Sequence, residues 1–178
     1  MPRYVAFLRG VSPLNAKMPE LKRCFEEAGF RNVKTVLSSG NVVFDAASAS
    51  EPSLERKVEA YMQATLGRTQ ATLGRTFYTI IRNADDLRLL LESNPYSAFS
   101  FSPDAKRVVS FLRVTQDATP KLPIESDGAS VLSVVGREVF TAYVPSPNGP
   151  VFMKLLEKAF GTQITTRTWE TVKKCASA

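Results

Sequence analysis

This sequence predicts a mixed α+β fold built as two similar halves, and three observations carry the expectation. Short runs rich in aromatic and β-branched residues recur along the chain. Segments with apolar residues at three- and four-residue spacing stand between them, and glycine or proline marks nearly every junction. The length of 178 residues fits one ordinary domain or two small ones closely joined.

Residues 4–9 read as a strand stopped by Gly10. Pro19-Glu20 opens a helix with Leu21, Cys24, Phe25 and Ala28 on one stripe, and Gly29 ends it. Residues 33–37 and 42–44 are two short strands joined around Gly40-Asn41, where glycine and asparagine supply the positive φ angles of a tight turn. Residues 54–66 form a second helix with Leu54, Val58, Tyr61 and Met62 in line, and residues 76–81 a fourth strand. That order, βαββαβ, is the ferredoxin-like arrangement.

The second half repeats the theme less cleanly. Residues 85–92 are helical, with Ala84, Leu87, Leu90 and Leu91 inward and Asn94-Pro95 as the stop. A strand over 108–114 precedes a hairpin of 131–135 with 139–144 across Gly136-Arg137. A helix over 150–160 opens at proline and closes at Gly161, and an extended piece over 164–166 leads into a last helical turn or two from Trp169. The expected fold class is α+β: two ferredoxin-like (βαββαβ-type) lobes with antiparallel or mixed sheets, spanning 1–82 and 83–178. One heptapeptide, Gln-Ala-Thr-Leu-Gly-Arg-Thr at 63–69, recurs unchanged at 70–76. Two copies make no solenoid, so the repeat either lengthens the second helix by about two turns or bulges as a loop.

Composition narrows the function. Apolar residues make up 44% and charged residues 22%, as in globular proteins, and no apolar run approaches the length of a membrane span. Residues 1–9 lack the apolar core of a signal peptide, which points to the cytoplasm and away from membranes. Cys24 reads as a small core hydrophobe, and Cys175 stands near the end, where chains fray. The chain has no histidine, which removes Ser-His and Cys-His nucleophile systems and histidine zinc sites. GxGxxG, GxxxxGK and GxSxG are also missing. No cofactor, metal site or catalytic residue is expected.

The net charge of +6 sits at the two ends of the chain. Residues 1–50 hold seven basic and four acidic side chains and residues 151–178 five and two, whereas the middle balances at eleven of each. Each basic end also holds a polar motif. Arg9 follows an apolar strand and precedes a glycine turn, a placement suited to bidentate capture of phosphate or carboxylate, or else to a structural ion pair, for example with Asp45 or a helix carboxylate. Ser38-Ser39-Gly40-Asn41 offers hydroxyls, an amide and turn N–H groups, or simply a hairpin. Thr165-Thr166-Arg167-Thr168-Trp169 precedes a helix start, with Thr168 as its N-cap; Trp169 either stacks on a ligand ring or anchors the terminus in the core.

Read together, Arg9-Gly10-Val11, the run Ser-Ser-Gly-Asn-Val-Val-Phe at 38–44, Asn94-Pro95-Tyr96 and the stretch at 155–172 resemble the family called domain of unknown function 1697. The resemblance covers nearly the whole chain and implies a pair of ferredoxin-like lobes, without an established activity. Two places depart from the family pattern. Ser12-Pro13-Leu14-Asn15 stands where an Asn-Val-Gly-Gly-type turn is usual, and Glu170 adds a negative charge to the last motif.

The expected function is binding of nucleic acid or another polyanion through a basic patch formed by the two chain ends, with Arg9, Lys17, Ser38, Ser39, Asn41, Arg167 and Trp169 as the anion-binding residues. One alternative is a small phosphorylated or carboxylated ligand; another is a structural or interaction protein in which the motifs only lock the lobes.

Overall fold

The computed structural model describes residues 1–67 and 76–178 and shows a mixed α+β chain with two antiparallel sheets and, among the described residues, five α-helices. Two compact units divide it. The first comprises Met1–Leu89 with Lys173–Ala178, and the second Leu90–Val172.

The first unit runs β1 (Arg3–Arg9), α1 (Met18–Glu27), β2 (Arg31–Thr35), β3 (Asn41–Asp45), α2 (Glu51–Leu66) and β4 (Tyr78–Asn83). Its strands lie in the order β2-β3-β1-β4, all neighbours antiparallel. Alternate residues of β1 explain the layering. Tyr4, Ala6 and Leu8 join Val42, Phe44 and Ile81 in one core with Leu21, Cys24 and Phe25 of α1 and Leu54, Val58 and Met62 of α2. Val5, Phe7, Val43 and Ile80 on the opposite face are just as fully buried. Rings of Phe25 and Phe30 stand 5.3 and 4.4 Å from Phe44 at the centre of the helix side. Removing Phe44 to alanine would cost about 3–5 kcal/mol.

Three sequence expectations change here. Tyr61 is exposed, and buried Glu55 takes its place beside Leu54, Val58 and Met62. Asn41 is an ordinary strand residue, and the positive φ angles of the β2–β3 hairpin belong to Leu37 (+59°) and Gly40 (+73°). Cys175 does not fray: it is buried in the last helix. Cys24 does face the core, where burial pushes its thiol pKa up and keeps it protonated and unreactive at neutral pH. Of the duplicated heptapeptides, Gln63–Leu66 completes α2, Gly67 caps it, and residues 68–75 lie outside the described residues.

The edge strand β4 shows a feature the apolar pattern did not predict. Glu51, Glu55 and Glu59 of α2 each place Oε1 against a backbone N–H of β4: Asn83 at 3.2 Å, Ile81 at 3.0 Å and Thr79 at 2.9 Å. Four helical residues rise about 6 Å and two strand residues about 6.8 Å, so the two repeats run in step. The outward N–H groups of an edge strand are thereby satisfied by carboxylates.

The second unit follows α3 (Ala84–Ser93) with β5 (Lys106–Leu112), β6 (Ile124–Ser126), β7 (Ala129–Val135), β8 (Glu138–Tyr143), α4 (Val151–Phe160), β9 (Ile164–Thr168) and α5 (Trp169–Ser177), the last turns of which return to the first unit. Its strands lie in the order β6-β7-β8-β5-β9. The stretch β7-β8-β5-β9 repeats the strand order of the first sheet. No helix links β5 to β7, however, and the added strand β6 pairs only with β7. The linking stretch carries Pro120 and Pro123 and lacks helical apolar spacing, so it stays extended. Leu112, Val131, Val139 and Ile164 form its core with Leu156 and Phe160 of α4.

Candidate functional site

In the first unit the two polar motifs of the chain's beginning meet at one end of the sheet. Phe7 pairs with Asn41, so the hairpin before Asn41 lies beside residues 8–11. Leu8 N–H donates to the Gly40 carbonyl at 2.8 Å. A Cβ on Gly40 would stand 3.2 Å from the Cβ atoms of both Leu8 and Val11 and 3.3 Å from the Leu8 carbonyl. Glycine is therefore required twice at this position, for its left-handed φ and for this close approach.

Asn41 is buried, and its Nδ2 donates to the Val36 carbonyl and to Ser39 Oγ, both at 3.0 Å. Its amide holds the hairpin closed, leaving Ser38 and Ser39 exposed on the loop. Arg9 is half-buried at the end of β1. It does not take Asp45, the ion-pair partner considered from the sequence. Asp45 binds Arg3 Nη1 at 2.6 Å and Asn32 Nδ2 at 2.6 Å. The Asn32 hydrogen bond, followed by the Arg3 guanidinium, outweighs burial and holds the Asp45 carboxyl below its ordinary pKa.

After Gly10 the chain turns through a loop clipped by Asn15. Its Nδ2 donates to the Gly10 carbonyl at 2.7 Å, and its Oδ1 accepts from Ser12 N–H at 2.9 Å. The loop delivers exposed Lys17 to the start of α1, where Glu20 Oε2 accepts from Lys17 N–H at 3.1 Å. A carboxylate at the helix start and Pro19 without an N–H leave Arg9, Lys17 and the two serines as the polar side chains singled out at this end of the sheet. Sequence reasoning missed Asn15, whose only signal was a polar residue five positions after Gly10.

Arg167 and Trp169 belong to the second unit. Arg167 Nη1 donates to Thr165 Oγ1 at 2.9 Å and to the Thr166 carbonyl at 2.8 Å, folding back on its own strand. Thr166 shares a 2.7 Å bond with Ser110, and Thr168 Oγ1 caps α5 by accepting from Thr171 N–H at 3.2 Å. Trp169 is buried edge-on against Tyr96 and Phe140, with ring centres 5.1 and 6.1 Å away. The Tyr96 hydroxyl donates to the Val108 carbonyl at 2.5 Å, and burial, the largest influence, raises its pKa. Trp169 thus anchors the segment, as one of its two sequence readings had it.

The profile of the family described as protein of unknown function (DUF1697) matches residues 1–140, which include the whole of the sheet-end cluster. The chain belongs to this DUF1697 family. The fold is similar to that of the solved conserved bacterial protein SP0830 from Streptococcus pneumoniae. That protein is 19% identical and superposes with a TM-score of 0.69 over 99% of this chain and 97% of that one. The likeness extends the fold to the 38 residues beyond the profile match. No curated protein matches the chain. Among the described residues, no group of three or more His, Cys, Asp or Glu side chains is placed to hold a metal ion, and no helix is long and apolar enough to cross a membrane.

Proposed function

We propose that this DUF1697 protein binds a small phosphorylated or carboxylated ligand at the end of its first sheet. The observation that carries the reading is the interlock of Gly40 with Leu8 and Val11, which sets the Ser38-Ser39 loop beside Arg9. Arg9 and Lys17 supply charge, Ser38 and Ser39 supply hydroxyl donors, and Asn41 positions the loop from behind. None of these groups is a general base, so the reading is binding without chemistry. The two halves of the sequence, 1–82 and 83–178, are read as ferredoxin-like lobes on the strand order that the two sheets share. Two free cysteines suit a cytoplasmic protein.

The test is calorimetric titration of the full chain with inorganic phosphate and with acetate. Lys17→Met and Ser38→Ala lie on exposed positions and leave the core intact. Loss of a charge-assisted contact at Lys17 should weaken binding by about tenfold or more. Unchanged affinity in both variants contradicts the proposal.

A second reading, a nucleic acid or other polyanion held through its phosphates, is favoured by the net charge of +6 and its concentration at the chain ends. The sheet-end residues of the first unit would make phosphate contacts there, and Arg167 is tested as a separate contact of the second unit. Base stacking has no support, because β1 and β3 are buried on both faces and Trp169 is enclosed. Anisotropy of labelled single-stranded RNA across a salt series, with Arg167→Ala beside the wild type, tests it. A steep salt slope that flattens in the variant supports phosphate contacts, and absence of binding at low salt removes them.

A further inference from the structure

At the other end of the first sheet lies a cavity of about 370 Å³ that none of the sequence motifs touches. It opens between the start of β2, the segment after β3 and the first turns of α2. Phe30, Ala46, Ala47 and Leu54 supply apolar walls, and Arg31, Lys57 and Ser53 are the polar side chains that line it. Among the described residues no carboxylate lines the cavity. The closest in sequence, Asp45, pairs with Arg31 across the sheet but is committed to Arg3 and Asn32. Glu26 and Glu27, just before the cavity's Gly29, face Lys22 and Arg23 along their own helix.

Lys57 Nζ stands 4.9 Å over the Phe30 ring, and that ring is itself packed 4.4 Å from Phe44. The ammonium lies alongside Gly29, 3.9 Å from where a Cβ on that residue would stand, an ordinary contact distance. Arg31, opposite Asp45 in the sheet register, is exposed at the cavity's rim. Two exposed cations face one small cavity with no acid in its lining, so their mutual repulsion is relieved by an anion of more than one charge.

We propose that this cavity is a second anion site, independent of the Arg9–Lys17 cluster, and that it takes a small phosphate monoester. The dianionic head meets Arg31, Lys57 and the Ser53 hydroxyl, and a short apolar body lies against Ala46, Ala47 and Leu54. A monocarboxylate leaves one cation unmatched and binds more weakly.

The experiment is titration of the full chain with ethyl phosphate and, in parallel, with butyrate, in wild type, Lys57→Met and Arg31→Gln. Both variants change exposed side chains, and circular dichroism checks that each is folded. The expected result is a saturable ethyl phosphate component, tighter than butyrate, that each of these two variants weakens about tenfold or more and that persists in Lys17→Met, where only the sheet-end component falls. Absence of saturable binding overturns the proposal, as does equal affinity for butyrate or insensitivity to both variants. Loss of binding in Lys17→Met alone assigns the ligand to the sheet-end cluster and equally overturns it.

Discussion

At the scale of single residues, Asn41 and Asp45 show how one strand serves both ends of its sheet. Asn41 spends both amide hydrogens on the β2–β3 hairpin, so Asn41→Ala leaves the part-buried Val36 carbonyl without that partner. The variant should lose about 1–3 kcal/mol in urea denaturation and free the Ser38-Ser39 loop, weakening anion binding in step. Asp45 governs acid behaviour. Its carboxyl is held below the ordinary value of 3.8, so on acidification the unfolded chain takes up this proton before the folded one does. Its contribution is complete above that value and is lost as pH falls through the depressed one. Asp45→Asn should therefore show a flatter stability profile below about pH 4 than the wild type, read from thermal midpoints across a pH series. Arg9 and Arg167 look alike in sequence, each an arginine closing an extended run. Only the fold reveals that Arg167 turns back onto Thr165 and Thr166.

Elements with one strong period were legible from the chain alone. Leu21, Cys24, Phe25 and Ala28 marked α1, and Gly161 marked the end of α4, because apolar spacing and left-handed glycine are local properties. Strand β6 was not legible: three residues, Ile124–Ser126, carry too little pattern, and their pairing with β7 is a tertiary fact. The ladder of Glu51, Glu55 and Glu59 was written as a four-residue spacing of carboxylates, but a solvated helix face would carry the same signal. Its role appears only once β4 lies alongside. Glu55→Ala strands the buried N–H of Ile81 and should cost about 1–3 kcal/mol, whereas Glu55→Gln keeps an acceptor oxygen and should cost less. Equal losses in chemical denaturation would show that the acceptor is not what matters.

Across the whole molecule, the sequence motifs divide into two kinds. Those of the second unit satisfy one another: Thr166 with Ser110, Thr168 with Thr171, Trp169 with Tyr96 and Phe140. Those of the first unit leave exposed groups, with Lys17, Ser38 and Ser39 on loops that Asn15, Gly40 and Asn41 hold in shape. That contrast is why the function is sought in the first unit. The most direct measurement is a residue-resolved amide NMR titration of the full chain with inorganic phosphate at constant ionic strength. The account predicts that the amides of Arg9, Lys17, Ser38 and Ser39 shift together along one saturating curve, whatever occurs at Arg31 and Lys57. If those four amides stay still while phosphate is raised, the sheet end is not an anion site.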